Sequence, residues 1–99
     1  MGFFNGMSTI NRLNNLLKDL ENQVTITQSM VESHAPKQNL ENCLNAHKRI
    51  HQELIDAFSG SSTARVSVFK IFGDKMRMHD ILTYSKNVSL HLASIIAQY

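Results

Sequence analysis

An all-α bundle of three long helices, with a short β-hairpin between the second and third, is the fold class this sequence predicts. Three observations lead there. Apolar residues recur three and four apart between Ile10 and Val31, and a second stripe of helical spacing runs from Leu40 to Phe58. The segment from Ile81 to Tyr99 is apolar on most faces, and Lys86 is its only formal charge. At 99 residues the chain has room for one core, so residues 1–99 are read as a single helical domain.

The first helix is expected over about residues 8–32. Its stripe steps through Ile10, Leu13, Leu17, Leu20, Val24, Thr27 and Val31, a heptad pattern of the coiled-coil kind with one polar substitution at Thr27. Leu16 widens the stripe, while Arg12, Asn15, Lys18, Asp19 and Asn22 occupy the remaining faces. Ser8 or Thr9 can cap the first free amides, and His34, Ala35 and Pro36 mark the end, because the residue before a proline is disfavoured in the helical region. Such heptads serve equally as the seam of an internal bundle or of an intermolecular coiled coil.

A second helix is expected over about residues 38–58, with Leu40, Leu44, His47, Ile50, Leu54 and Phe58 on one face. The short connection predicts an antiparallel pair with the first helix. The run Ser59, Gly60, Ser61, Ser62 and Thr63 then reads as a polar break. Over residues 66–79 the period changes towards two, which predicts a hairpin with Phe69, Ile71, Met76 and Met78 on one face and Gly73–Asp74 at the turn. A helical reading competes, since Val68, Phe72 and Met76 are four apart.

The third helix is expected over about residues 80–98, with Asp80 as N-cap. Ile81, Val88, Leu92, Ile95 and Tyr99 form its stripe, and Ser85, Ser89, Ala93 and Ala97 make a row of small side chains four apart. A helix this poor in charge is expected to be the most buried element of the fold. Two helices and a hairpin offer limited cover for it, so a self-associating interface through Leu82, Ser85, Ser89, Leu92, Ala93 and Ile96 is expected. The plainer alternative makes it the central helix of a monomeric bundle.

Composition narrows the function classes. The hydrophobic fraction of 42% is that of a folded chain, and the charged fraction of 18% leaves solubility to nine Asn and ten Ser. The lone Cys43 cannot form an internal disulfide, which predicts a reducing, cytoplasmic setting. No apolar run approaches a membrane span. No cation precedes Arg12, and the apolar stretch at Phe3 and Phe4 is shorter than a signal-peptide core, so no export signal is expected. The Met1–Gly2 start lacks the Ser or Thr of a myristoylation motif, Gly6 standing in its place.

Chemistry-bearing constellations are sparse. Cys43, His47 and His51 share a helical face, but Cys43 and His51 would lie about 12 Å apart along the axis, too far to bind one zinc ion. A pair would need further ligands from His34, His79, His91 or a second chain, and no metal or other cofactor is expected. No nucleophile elbow is present, and pairs such as Asp19 and Glu21 or Glu53 and Asp56 read as solvated helix charges, so no enzyme activity is expected. Gly60, Ser61, Ser62 and Thr63 with Arg65 could cradle an anion, although a hydroxyl-rich linker accounts for the same residues.

Charge is unevenly divided. Residues 1–58 carry five Lys and Arg against six acids, and residues 59–99 carry five against two. Arg65, Lys70, Lys75 and Arg77, interleaved with Phe69 and Phe72, could therefore contact nucleic-acid phosphates and stack on bases. Charged residues guarding a hairpin face from aggregation explain the same pattern. The function expected is non-enzymatic protein binding of the adaptor or inhibitor kind, with homodimerisation; a small nucleic-acid-binding regulator is the alternative.

Overall fold

A computed structural model describes the backbone from residue 2 to residue 99 and the side chains from Ser8 onward. Met1, Phe3, Phe4 and Gly6, on which the export and myristoylation readings turn, lie outside the described side chains. The chain forms α1 (Gly2–Glu32), α2 (Lys37–Ser59), α3 (Ser62–Val66), β1 (Phe69–Ile71), β2 (Asp74–Met76) and α4 (Met78–Ile96). The bundle of three long helices with an antiparallel hairpin is therefore the fold, joined by one short helix that periodicity does not reveal. No helix among the described residues is long and apolar enough to cross a membrane.

The α1 stripe turns inward: Leu13, Leu17, Leu20 and Thr27 are buried, and Leu16 joins them. α1 stops through backbone geometry rather than a side-chain cap. The Ala35 N–H donates to the Met30 carbonyl at 2.9 Å and the His34 N–H to Val31 at 3.2 Å, the paired bonds of a Schellman ending. That ending requires a left-handed residue, and His34 supplies it at φ 54°. A histidine there is strained, so His34→Gly is expected to raise the unfolding free energy by about 0.5–1 kcal/mol, read as a higher urea midpoint.

α2 is the spine of the molecule. Leu40, Cys43, His47, Ile50, Leu54, Ala57 and Phe58 are all buried along it, with both α1 and α4 packed against it. The expectation that the last helix would be the most buried is thus corrected, since α4 buries only Ile81, Ser85 and Leu92. α4 docks one face on α2 and touches α3 and β2, and among the described residues no other helix packs closely over the rest of it.

Between α2 and the hairpin, the polar break is shorter than expected. Ser61 caps α3 by accepting the Ala64 N–H on its hydroxyl at 3.2 Å, and Ala64 is buried against α1 and α2. Five residues are too few to display a period, which is why this turn of helix reads as a linker.

The hairpin pairs Phe69 with Met76, Lys70 with Lys75 and Ile71 with Asp74. Its turn residues are Phe72 (φ 50°) and Gly73 (φ 83°), a pair of left-handed residues as in a type I′ turn, rather than Gly73 and Asp74. Moving a turn by one residue shifts the pairing by two, and strand faces alternate with period two. The expected inward face of Phe69, Ile71 and Met76 is consequently preserved, while Met78 becomes the first residue of α4. Phe69 meets Phe58 of α2 edge to face, with ring centroids 5.8 Å apart.

α4 starts earlier than expected. Asp80 sits one turn inside the helix start rather than at the cap, and its carboxylate accepts the Arg77 N–H at 3.4 Å. Two apolar clusters result. The larger joins α1, α2, α3, the hairpin and Ile81; the smaller gathers Leu40, Cys43 and Leu92, with Met30, Val31, Ile95 and Ile96 around them.

Candidate helix-binding groove

α1 and α4 both lie along α2, and what fills the space between them changes along the bundle. At one end β1 and α3 pack on α1 while β2 and α3 pack on α4, so the hairpin unit acts as a wedge. Beyond the wedge no described residue covers the gap, and an open groove of about 510 Å³ remains.

Its walls are mostly apolar. α1 contributes Val24, Thr27 and Val31, and α4 contributes Tyr84, Val88, Leu92 and Ile95. Gln28, Glu32, Asn87 and His91 complete the lining. From Tyr84 to Ile95 the α4 wall extends about 17 Å at 1.5 Å per residue, three turns of helix. Burial raises the Tyr84 hydroxyl pKa, and the nearby Glu21 carboxylate adds to the effect.

Behind the groove lies a polar layer between the two apolar clusters. Thr27 Oγ1 is 2.8 Å from His47 Nε2, and Ser85 Oγ is 3.0 Å from His51 Nδ1. His47 lies one turn before His51 on α2, and Ser89 one turn after Ser85 on α4. Both of those residues keep a buried atom without a hydrogen-bond partner, His47 Nδ1 and Ser89 Oγ. Burial lowers the pKa of His47; burial first, and then the Lys86 charge, lowers that of His51.

The Cys43, His47 and His51 row is divided among unrelated partners. Cys43 Sγ is 3.6 Å from Met30 Sδ, and each histidine faces a hydroxyl. Among the described residues no three His, Cys, Asp or Glu side chains come together as metal ligands, His34, His79 and His91 included.

The residues expected to form an interface fall in two environments. Ser85 and Leu92 are buried inside the chain's own packing, whereas Leu82, Ser89, Ala93 and Ile96 are half-buried. Leu82 packs on the larger cluster and Ile96 on the smaller. Val88 and Ile95, which the periodicity put on the apolar stripe without assigning them to an interface, are half-buried and wall the groove together with Tyr84, Val24 and Val31.

The four cations divide as well. Arg65 donates its guanidinium to the carbonyls of Phe58 at 3.2 Å and Ser59 at 3.0 Å, closing the end of α2, as cations at helix C-termini do. Lys70 and Lys75 face each other across the hairpin, and Arg77 is exposed at the start of α4. Phe69, which would stack on a base, is buried beneath the hairpin. The Gly60–Thr63 run is spent on the α2 ending and the α3 cap.

Comparison with known protein families, with characterised proteins and with solved structures finds no match to this chain.

Proposed function

We propose that this chain is a non-enzymatic protein-binding module whose α1–α4 groove receives an apolar helix face, the first occupant being a second copy of the chain in a homodimer. The open, apolar groove carries the reading. Helical clefts of this kind take an amphipathic helix by its i, i+3, i+4 and i+7 side chains. Val88 and Ile95 line the groove from α4, so under a two-fold axis a second α4 would offer the same apolar side chains to it. Two α4 helices laid together would cover apolar surface that one copy leaves open. The buried, unpaired Cys43 fits a reducing, cytoplasmic setting for the module.

Sedimentation equilibrium of the wild type and of Val88→Glu tests this. The wild type is expected to show a concentration-dependent increase in mass. Val88→Glu places a charge in the shared surface and is expected to weaken association at least tenfold while leaving the urea midpoint nearly unchanged, because Val88 is only half-buried in one copy. A wild type that stays monomeric at every concentration would remove the second copy as occupant.

A further inference from the structure

The hairpin and the end of α3 that leads into it carry a second exposed surface, outside the groove lining. Of six large hydrophobic side chains exposed among the described residues, three fall within residues 66–72: Val66 at 70%, Val68 at 52% and Phe72 at 53%. By strand alternation Val68 and Lys70 point away from the core, and Lys75 stands directly across from Lys70.

Two features here oppose folding, the facing lysines and the Phe72 backbone. Like charges directly across a strand pair are destabilising, and among the described residues neither lysine has a carboxylate within ion-pair distance. Asp74 has the opposite alternation to Lys75. At φ 50° Phe72 occupies a left-handed position where asparagine or glycine is comfortable and a bulky side chain is strained. The Glu21 carboxylate fixes it there, accepting the Phe72 N–H at 2.6 Å. Lysines that guard a sheet edge would explain the charge alone. They do not explain an exposed phenylalanine and two valines, which promote the sticking that such lysines prevent.

The chemistry selects among anionic partners. A nucleic acid rewards stacked aromatic rings, and the hairpin exposes one, Phe72, with Phe69 buried. Valines gain nothing from bases. A phospholipid surface instead takes aliphatic and aromatic tips at the acyl boundary and ammonium groups at the phosphates. We propose that the hairpin docks on an anionic phospholipid surface, with Phe72, Val68 and Val66 at the acyl boundary and Lys70 and Lys75 at the lipid phosphates.

Cosedimentation of the full chain with vesicles tests the surface, using phosphatidylcholine alone and with about a third phosphatidylserine at low ionic strength. Binding is expected only to the anionic vesicles and is expected to weaken with salt. Lys70→Glu should weaken it about fivefold per unit of charge lost, and Phe72→Asn about tenfold. Both variants are expected to melt at or above the wild-type temperature, since glutamate can pair with Lys75 and asparagine suits the turn. A loss of binding therefore reports the surface and not the fold. Absence of binding, equal binding to both vesicle types, or indifference to both substitutions would overturn the proposal. Binding to a single-stranded oligonucleotide without vesicle binding would do the same, in favour of nucleic acid.

Discussion

Phe58→Ala is expected to lower the unfolding free energy by about 3–5 kcal/mol, the range for removing a buried phenylalanine and leaving a cavity. Phe58 is 1% exposed in the last turn of α2, where it touches both the helical core and the ring of Phe69. Truncation would therefore loosen the hairpin as well as the helices. A total of about 5–15 kcal/mol for a domain of this size leaves little reserve against such a loss. Urea unfolding should show a lower midpoint with an unchanged slope. Leu90→Ala, at a site 58% exposed, is the control and should stay within about 0.5 kcal/mol of the wild type. Comparable losses at the two positions would mean that Phe58 is not where the core converges.

Acid is expected to unfold the protein through His47. The ring is 0% exposed, and burial holds its pKa below the ordinary 6.5. The group bonded to it is a hydroxyl, Thr27 from α1, and among the described residues no carboxylate lies within ion-pair distance of it. Between the depressed folded value and 6.5 the unfolded chain binds more protons than the folded one. Stability is thus fully present above 6.5 and falls as the pH drops through that window, by up to about 1.4 kcal/mol per pH unit. His51 shifts in the same direction and, being partly exposed, adds less. Urea midpoints from about pH 8 to about pH 5 measure the slope. His47→Gln, which cannot be protonated, should flatten it; a variant with the wild-type slope would assign the acid sensitivity to other groups.

How far the sequence could be read depended on the range of each signal. The long helices were legible because three or more turns of apolar spacing cannot arise from a strand, and residues 10–31 and 40–58 both provide that many. Thr27 and His47 were each visible as polar intrusions in those stripes, but twenty residues separate them, and only the packing of α1 on α2 shows that Thr27 pairs with the Nε2 of His47. Within the small-residue row of α4, Ser85 meets His51 of the same chain, while the Ser89 hydroxyl is buried without a hydrogen-bond partner. In the hairpin, the inward face survived an error in the turn because strand alternation tolerates a two-residue slip in pairing. A phenylalanine in a left-handed turn position runs against local preference, so no rule of turn chemistry would have placed it there. The groove was not legible at all. It exists because a hairpin of six strand residues covers one end of the α1–α4 gap and not the other, and cover is a property of three dimensions.

The occupant of that groove is tested most directly by methyl NMR over a dilution series of the wild-type chain. Valine and isoleucine methyls of Val24, Val31, Val88 and Ile95 are expected to shift together with concentration, with one dissociation constant, while Leu90, exposed on the far side of α4, stays fixed. Spectra that do not change with concentration, or shifts confined to Leu90 and its neighbours, would contradict a groove filled by a second copy.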